Sequence, residues 1–252
     1  MTKLSVNLNK FALLRNARGT NFPDVLEMAR KCIAAGAHGI TVHPRPDERH
    51  TKRSDVRELA AMLKEYPDVE FNIEGNPEPE FLRLVGEAQP AQCTLVPDDP
   101  HQLTSDHGWN IQQQGDRLKP IIAELRSFGC RVSLFMETDL SQIQLAKETG
   151  ADRIELYTGP YAHASLKEKA ETVLPPYARA AAKAQKIGLG VNAGHDLNLK
   201  NLGLFLRSVP GVLEVSIGHA IVVESLDFGL QPTIKKYLDI LDEASKIAKK
   251  PI

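Results

Sequence analysis

Short β-rich runs recur along this chain with helical stretches between them, and that alternation limits the fold more than any other feature. The strand candidates are 4–8, 39–43, 69–73, 92–96, 131–136, 153–157, 190–192 and 213–217. Amphipathic stretches lie between them at 23–35, 54–65, 79–87, 116–128, 141–149, 166–186 and 197–209, and 231–249 closes the chain. A spacing of about 30 residues per strand is that of a βα unit. Gly36, Gly129, Gly150 and Gly188 each follow a helical stretch just before the next strand. Glycine there supplies a left-handed helix cap. Strands alternating with helices allow a closed parallel barrel or an open doubly wound sheet. The count of eight favours the closed α/β form, a (β/α)8 barrel. No nucleotide fingerprint supports the open one, since Gly188 and Gly190 precede their strand instead of following it.

A barrel of this kind needs about 250 residues, so the 252 residues predict one catalytic domain spanning 1–252. The net charge of -1 gives no broad positive field for nucleic acid or an anionic membrane. Cys32, Cys93 and Cys130 fit neither a zinc spacing nor a disulfide framework and read as free thiols in a reducing compartment. Residues 1–10 hold too short an apolar run for a signal peptide. No stretch approaches the roughly 18 apolar residues of a membrane span. These observations predict a cytoplasmic protein.

In a barrel, chemistry sits at the carboxyl ends of the strands and in the loops that follow. This chain places Asn7, Asn9 and Lys10 after the first strand, His43 after the second and Glu74 after the third. Asp98, Asp99 and Thr104 follow the fourth, Glu137 lies at the fifth, and Glu155 and Thr158 at the sixth. His195 follows the seventh, and Ser216, Gly218 and His219 the eighth. One polar residue at a strand end is ordinarily a satisfied structural group; a histidine or carboxylate at so many ends favours a site. Gly194 and Gly218, each expected to open a helical segment, let backbone N–H groups approach an anion. Arg15 and Arg18, in an expected long loop after the first strand, and Arg45, Arg49 and His50 after the second offer cationic grips for phosphate. Such a loop is usually just solvated, but neighbouring barrel loops converge over one mouth. His43 and His195 suit proton exchange near neutral pH, and Glu74 and Glu155 would have raised pKa values if water is excluded. No metal-ligand spacing occurs, which leaves only a metal site assembled from distant strand ends.

Several segments together carry a family resemblance: 14–20 (LRNARGT), 39–43 (GITVH) with 45–50 (RPDERH), 72–74 (NIE), 95–97 (LVP), 132–135 (VSLF), Ile154 with Glu155, Thr158 with Gly159, Tyr161 with Ala162, 191–195 (VNAGH) and 217–220 (IGHA). Spread over nearly the whole chain, they make it resemble the pyridoxine 5′-phosphate synthase family. The resemblance implies a (β/α)8 barrel with additional helices, assembled as a homo-octamer built from dimers. It implies two phosphorylated small-molecule substrates, 1-deoxy-D-xylulose 5-phosphate and 3-amino-2-oxopropyl phosphate, condensed to pyridoxine 5′-phosphate, phosphate and water, with no metal or organic cofactor. By position, His43, Glu74 and His195 match the family's acid–base residues, and Glu155 a carboxylate that stabilises a transition state. Asn7, Arg18, Gly218 and His219 match contacts to the amino-ketone phosphate, with Asp196 contributing through its backbone. Arg45, His50 and Thr104 match contacts to the deoxyxylulose phosphate.

This chain departs from that pattern at two places in the site, and it is longer between the second and third strands, around 66–68, where a surface turn is expected. Asn9 and Lys10 stand where many members have Asp and His; Asn9 can bond a substrate hydroxyl, and Lys10 can hold a substrate phosphate without shuttling protons. Asp196 stands where many members have Gly. Two other readings remain open. One is a different phosphosugar barrel enzyme, an aldolase or epimerase, although no strand core carries a Schiff-base lysine and Lys10 is the nearest candidate. The other is a catalytically dead barrel serving as a binding subunit, which the retained acid–base residues oppose.

Overall fold

Eight parallel strands close on themselves in chain order in the computed structural model, which describes residues 1–99 and 102–248. They are β1 (Lys3–Asn7), β2 (Gly39–Val42), β3 (Glu70–Gly75), β4 (Gln92–Leu95), β5 (Arg131–Met136), β6 (Arg153–Tyr157), β7 (Gly190–Gly194) and β8 (Val212–Ile217). The helices are α1 (Asn9–Asn16), α2 (Val25–Ala34), α3 (Arg53–Leu63), α4 (Pro79–Ala88), α5 (Ile111–Ser127), α6 (Leu140–Glu148), α7 (Gly159–Leu166), α8 (Ala170–Lys186), α9 (Leu202–Ser208), α10 (His219–Phe228) and α11 (Leu230–Ala248). The architecture is the (β/α)8 barrel expected from the spacing, with more helices than strands.

Local chemistry explains the punctuation. Asp24 caps α2 by accepting from the Glu27 amide, and Asp139 caps α6 by accepting from the Ser141 and Gln142 amides. Gly129 (φ 81°) and Gly150 (φ 90°) take the left-handed conformation expected at those helix ends.

Four expectations about the connections are corrected, and a fifth, the C-terminal helix, is met by α11 with a further helix before it. No long loop follows β1: α1 starts at Asn9, so Arg15 is helical. The helix expected over 166–186 starts only at Ala170, as α8, because Leu166 closes the separate α7 and Glu168 between them adopts φ 57°. The expected C-terminal helix is preceded by a separate α10, the break falling at Gly229 (φ 81°); Lys249, the expected end, lies outside the described residues. The α5 helix starts at Ile111, earlier than expected, because the Asn110 side chain accepts from the Gln113 amide. The stretch 197–209 is helical only from Leu202, because Asn198 and Asn201 form a turn in which each side-chain oxygen accepts from the other's amide.

Strand alternation divides the barrel into two environments. On β1, Leu4 and Val6 are wholly buried in the apolar layer, while Lys3, Ser5 and Asn7 find polar partners on other strands. The lower interior holds an ion cluster in which Lys3 and Arg131 both pair with Glu70, beside a Gln92–Glu214 hydrogen bond of 3.1 Å. Above it, Ser5 meets Thr41 at 2.6 Å, Asn72 donates to Thr41 at 3.3 Å, and Thr94 donates to Asn72 at 3.1 Å. The same alternation carries the polar column upward. Glu74 lies two residues beyond Asn72 on β3, and Glu155 two residues beyond Arg153 on β6. Both therefore emerge at the carboxyl end of the barrel.

Candidate active site

The carboxyl ends of the strands enclose a cavity of about 460 Å³. Of the residues that the family resemblance matches to a site, with the departures Asn9, Lys10 and Asp196, all but Arg18 line it: His43, Glu74, Glu155, His195, Asn7, Asn9, Lys10, Arg45, His50, Thr104, Asp196, Gly218 and His219. Arg18 lies just past the end of α1, exposed and outside this lining. Arg15 is also turned away: its guanidinium grips buried Asp55 through bonds of 2.6 and 2.8 Å, so it ties α1 to α3 instead of facing a ligand.

The floor is a web of side-chain amides and acids. The Asn7 amide donates to Glu74 Oε2 at 3.3 Å, and Asn7 Oδ1 accepts from the Asn9 backbone at 2.9 Å. Asn9 Oδ1 accepts from the His43 backbone and from Thr51 Oγ1, each at 2.9 Å. The Asn9 carbonyl thus positions the loop after β2, leaving its Nδ2 as the group able to face a substrate. Burial pushes the Glu74 carboxyl up to about 8, helped by the negative charge of Asp98. Burial and the nearby Glu74 and Glu214 hold the Glu155 pKa well above the usual carboxylate range. Burial, with Arg45 and His50 nearby, keeps the His43 pKa well below the usual imidazole range. His43 Nδ1 and Glu74 Oε2 are 3.9 Å apart. At neutral pH this contact joins a neutral imidazole and a protonated acid, not an ion pair.

Cations gather on one side. Arg45, only 4% exposed, pairs with Asp98 and donates to the Gln102 carbonyl at 3.0 Å. Arg49 donates to the same carbonyl at 3.0 Å. His50 Nδ1 accepts from the Thr51 amide at 2.9 Å, so the neutral ring carries its hydrogen on Nε2. Burial and the adjacent Arg45 lower the His50 pKa to about 4, which makes it a neutral donor and not a cation.

Opposite them, Gly218 caps α10 without a side-chain hydrogen bond, leaving first-turn amides for an anion. The loop after β7 does not open a helix as expected, and its glycine has a different reason. A Cβ on Gly194 would sit 2.1 Å from Glu155 Oε1, so glycine makes room for that carboxyl. On Gly218 it would sit 2.9 Å from the Asn7 Cβ.

Sequence reasoning placed two further residues at strand ends, Asp98 and Thr158, without giving either a role in this site. Asp98 is 4% exposed, holds Arg45 and accepts from Ser105 at 2.7 Å. An acid directly after a strand, with an arginine in the preceding loop, is the signal that marks it. Thr158 is fully buried and donates through Oγ1 to the Gly194 carbonyl at 2.6 Å, which anchors the chain entering His195. Among the described residues, no group of three histidine, cysteine, aspartate or glutamate side chains is placed to hold a metal ion.

The comparisons with known proteins agree with this architecture. The pyridoxine 5′-phosphate synthase of Xylella fastidiosa (strain M23) is 53% identical over 251 residues, covering 97% of this chain and 96% of that protein. The same-named protein of Xanthomonas oryzae pv. oryzae (strain PXO99A) is 54% identical over 247 residues, covering 95% of this chain and 96% of it. Among solved structures, 3-keto-L-gulonate-6-phosphate decarboxylase from Vibrio cholerae O1 biovar El Tor str. N16961 superposes with a TM-score of 0.63 over 96% of this chain and 98% of that one. At 12% identity that likeness speaks for the fold alone. The family model described as pyridoxal phosphate biosynthesis protein PdxJ matches residues 4–243, and this chain belongs to that family.

Proposed function

We propose that this chain is a pyridoxine 5′-phosphate synthase. It condenses 1-deoxy-D-xylulose 5-phosphate with 3-amino-2-oxopropyl phosphate to give pyridoxine 5′-phosphate, phosphate and water. Beyond family membership, one observation carries the reading: His43 and Glu74 share one cavity with opposite readiness. His43 is held as the free base and Glu74 as the acid across the neutral range. Environments that push titratable groups into their working forms are the mark of acid–base sites. Imine formation, elimination and ring closure each require proton transfers around one bound molecule.

In this reading His43 removes protons, Glu74 delivers them to departing oxygens, and His195 serves a second position on the far wall. Glu155, neutral in the free enzyme, ionises against the cationic imine and stabilises it. The phosphate retained in the product rests on the α10 amides at Gly218 and His219, with Asn7 beside them. The departing phosphate meets Arg45, the Nε2–H of His50 and Thr104, donors that stabilise a leaving dianion. Lys10 adds a positive charge between the two ends. Arg18 stands outside this cavity, so its contact with a phosphate remains an expectation of the family pattern. No metal or organic cofactor has a part in this reading.

The same reading takes residues 1–252 as a single catalytic domain in a cytoplasmic homo-octamer built from dimers. Exposed apolar side chains such as Leu14, Leu226 and Phe228 support assembly, and among the described residues no helix is long and apolar enough to cross a membrane. The test is incubation of the pure protein with both substrates, following free phosphate and the ultraviolet absorbance of a pyridinol. Phosphate release that needs both substrates, with matching pyridinol, is expected. Turnover of either substrate alone would favour an aldolase or epimerase.

A further inference from the structure

His195 is held more tightly than its place in a loop would require. Its Nδ1 lies 3.0 Å from Asp196 Oδ2 and its Nε2 lies 2.9 Å from Thr104 Oγ1. The Tyr157 ring packs edge-on against the imidazole, with centroids 5.2 Å apart. The backbone is held as well. His195 (φ 85°) and Asp196 (φ 59°) are both left-handed, a conformation that non-glycine residues keep only where the surroundings enforce it. Thr158 enforces it by donating to the carbonyls of Gly194 and His195, and Asn201 by donating to the Asp196 carbonyl at 3.2 Å. This backbone carries the Asp196 carboxylate around to the Nδ1 edge of the neighbouring ring.

A carboxylate only accepts hydrogen bonds, so the nitrogen facing it must carry the hydrogen. In a neutral imidazole the other nitrogen then keeps its lone pair. We propose that Asp196 is a positioning residue that fixes His195 as the Nδ1–H tautomer, making Nε2 the atom that takes protons from substrate. The Thr104 hydroxyl donates to Nε2 and marks the direction from which a substrate proton arrives. In the transfer, a substrate C–H or N–H bond breaks, its electron pair stays on the substrate, and the proton bonds to Nε2. The Nδ1 hydrogen remains with the ring, and the Asp196 anion offsets the new imidazolium charge. The His195 hydrogen bond holds the Asp196 carboxyl below its ordinary pKa, so the anion is present throughout the neutral range. The side chain therefore serves the histidine, and a phosphate is left to backbone amides. Lys10 and His219 also act on this carboxylate and limit its repulsion of a bound phosphate. The inference rests on His195 being an acid–base residue.

The test is ¹⁵N NMR of histidine-labelled enzyme, with the His195 signals assigned by their loss in His195→Asn. In the unaltered enzyme Nδ1 should be protonated and Nε2 bare. Asp196→Ala removes the acceptor, and the Nε2–H tautomer should become populated. Asp196→Asn accepts the left-handed backbone, and its amide can donate to Nδ1, so it should also move the tautomer toward Nε2–H. In both variants kcat should fall at least about tenfold, in the direction that a wrong histidine tautomer lowers it in the Ser-His-Asp triad, while KM for each substrate changes less than about threefold. A protonated Nε2 in the unaltered enzyme would overturn the proposal. So would an unchanged tautomer in both variants, or a loss confined to KM. Because the NMR result does not depend on turnover, it tests the proposal separately from the role of His195 in catalysis.

Discussion

Replacing Glu74 by Gln should make this protein more stable and less active, and the stability gain should grow with pH. Glu74 is held protonated up to about 8, against an ordinary value of 4.5. Between those limits the folded chain keeps the proton while the unfolded chain has released it. The folded state thus binds more protons, and stability declines as pH rises through the window. Each pH unit there is worth ~1.4 kcal/mol, so by pH 8 the buried acid costs the fold about 5 kcal/mol. Glu155 shares that burden through coupled titration, which leaves a gain of about 3–5 kcal/mol on replacing Glu74 alone. Gln preserves the shape: its Oε1 can accept from Asn7 and its Nε2 can donate to Ser216, the two partners Glu74 has now. At about 2–4 °C per kcal/mol for a chain of this size, Tm should rise by about 6–20 °C at pH 8 and hardly at all at pH 5. Turnover should fall at least about 100-fold with the loss of the acid. Thermal unfolding followed by circular dichroism at pH 5, 6.5 and 8, beside a phosphate-release assay, measures both. A Tm difference that is flat across pH, or a lower Tm at pH 8, would refute the claim that burial holds this acid protonated.

His195→Asn should leave the circular dichroism spectrum unchanged and suppress product formation at least about 100-fold; near-normal turnover in a well-folded variant would remove His195 from the mechanism. Lys10→Met should raise KM for one substrate more than it lowers kcat, and borohydride with either substrate should leave Lys10 unmodified; a reduced adduct detected by mass spectrometry would revive the aldolase reading. Arg15→Met strands the buried Asp55 carboxylate, a kind of loss that destabilises by about 3–5 kcal/mol. Denaturant titration should find that loss, while an unaltered midpoint would return Arg15 to the list of solvated loop arginines.

Much of this protein was legible without coordinates, for a definite reason. Strand–helix alternation is a local property, and eight βα repeats with right-handed crossovers leave few ways to close. Once closed, a barrel gathers every strand end at one mouth. Residues as distant in the chain as Asn7, Glu74, His195 and Gly218 could therefore be assigned to one cavity from their positions after strands. The turn glycines are equally local. Side-chain direction depends on the helical or loop state of a few residues and on which neighbours are near. Arg15 looked like a phosphate grip until α1 began at Asn9 and turned it onto Asp55. Gly194 looked like an anion loop, but its missing side chain is needed by Glu155 from the adjacent strand. Asp98 acquired its role only through Arg45, which lies in a different loop. Protonation states were the least legible of all. The sequence by itself determined the barrel and the identity of the groups at its mouth. Only the tertiary structure decided that His43 is neutral, Glu74 is acidic and Asp196 faces a ring nitrogen, because burial and the charge of neighbours from other strands set those states.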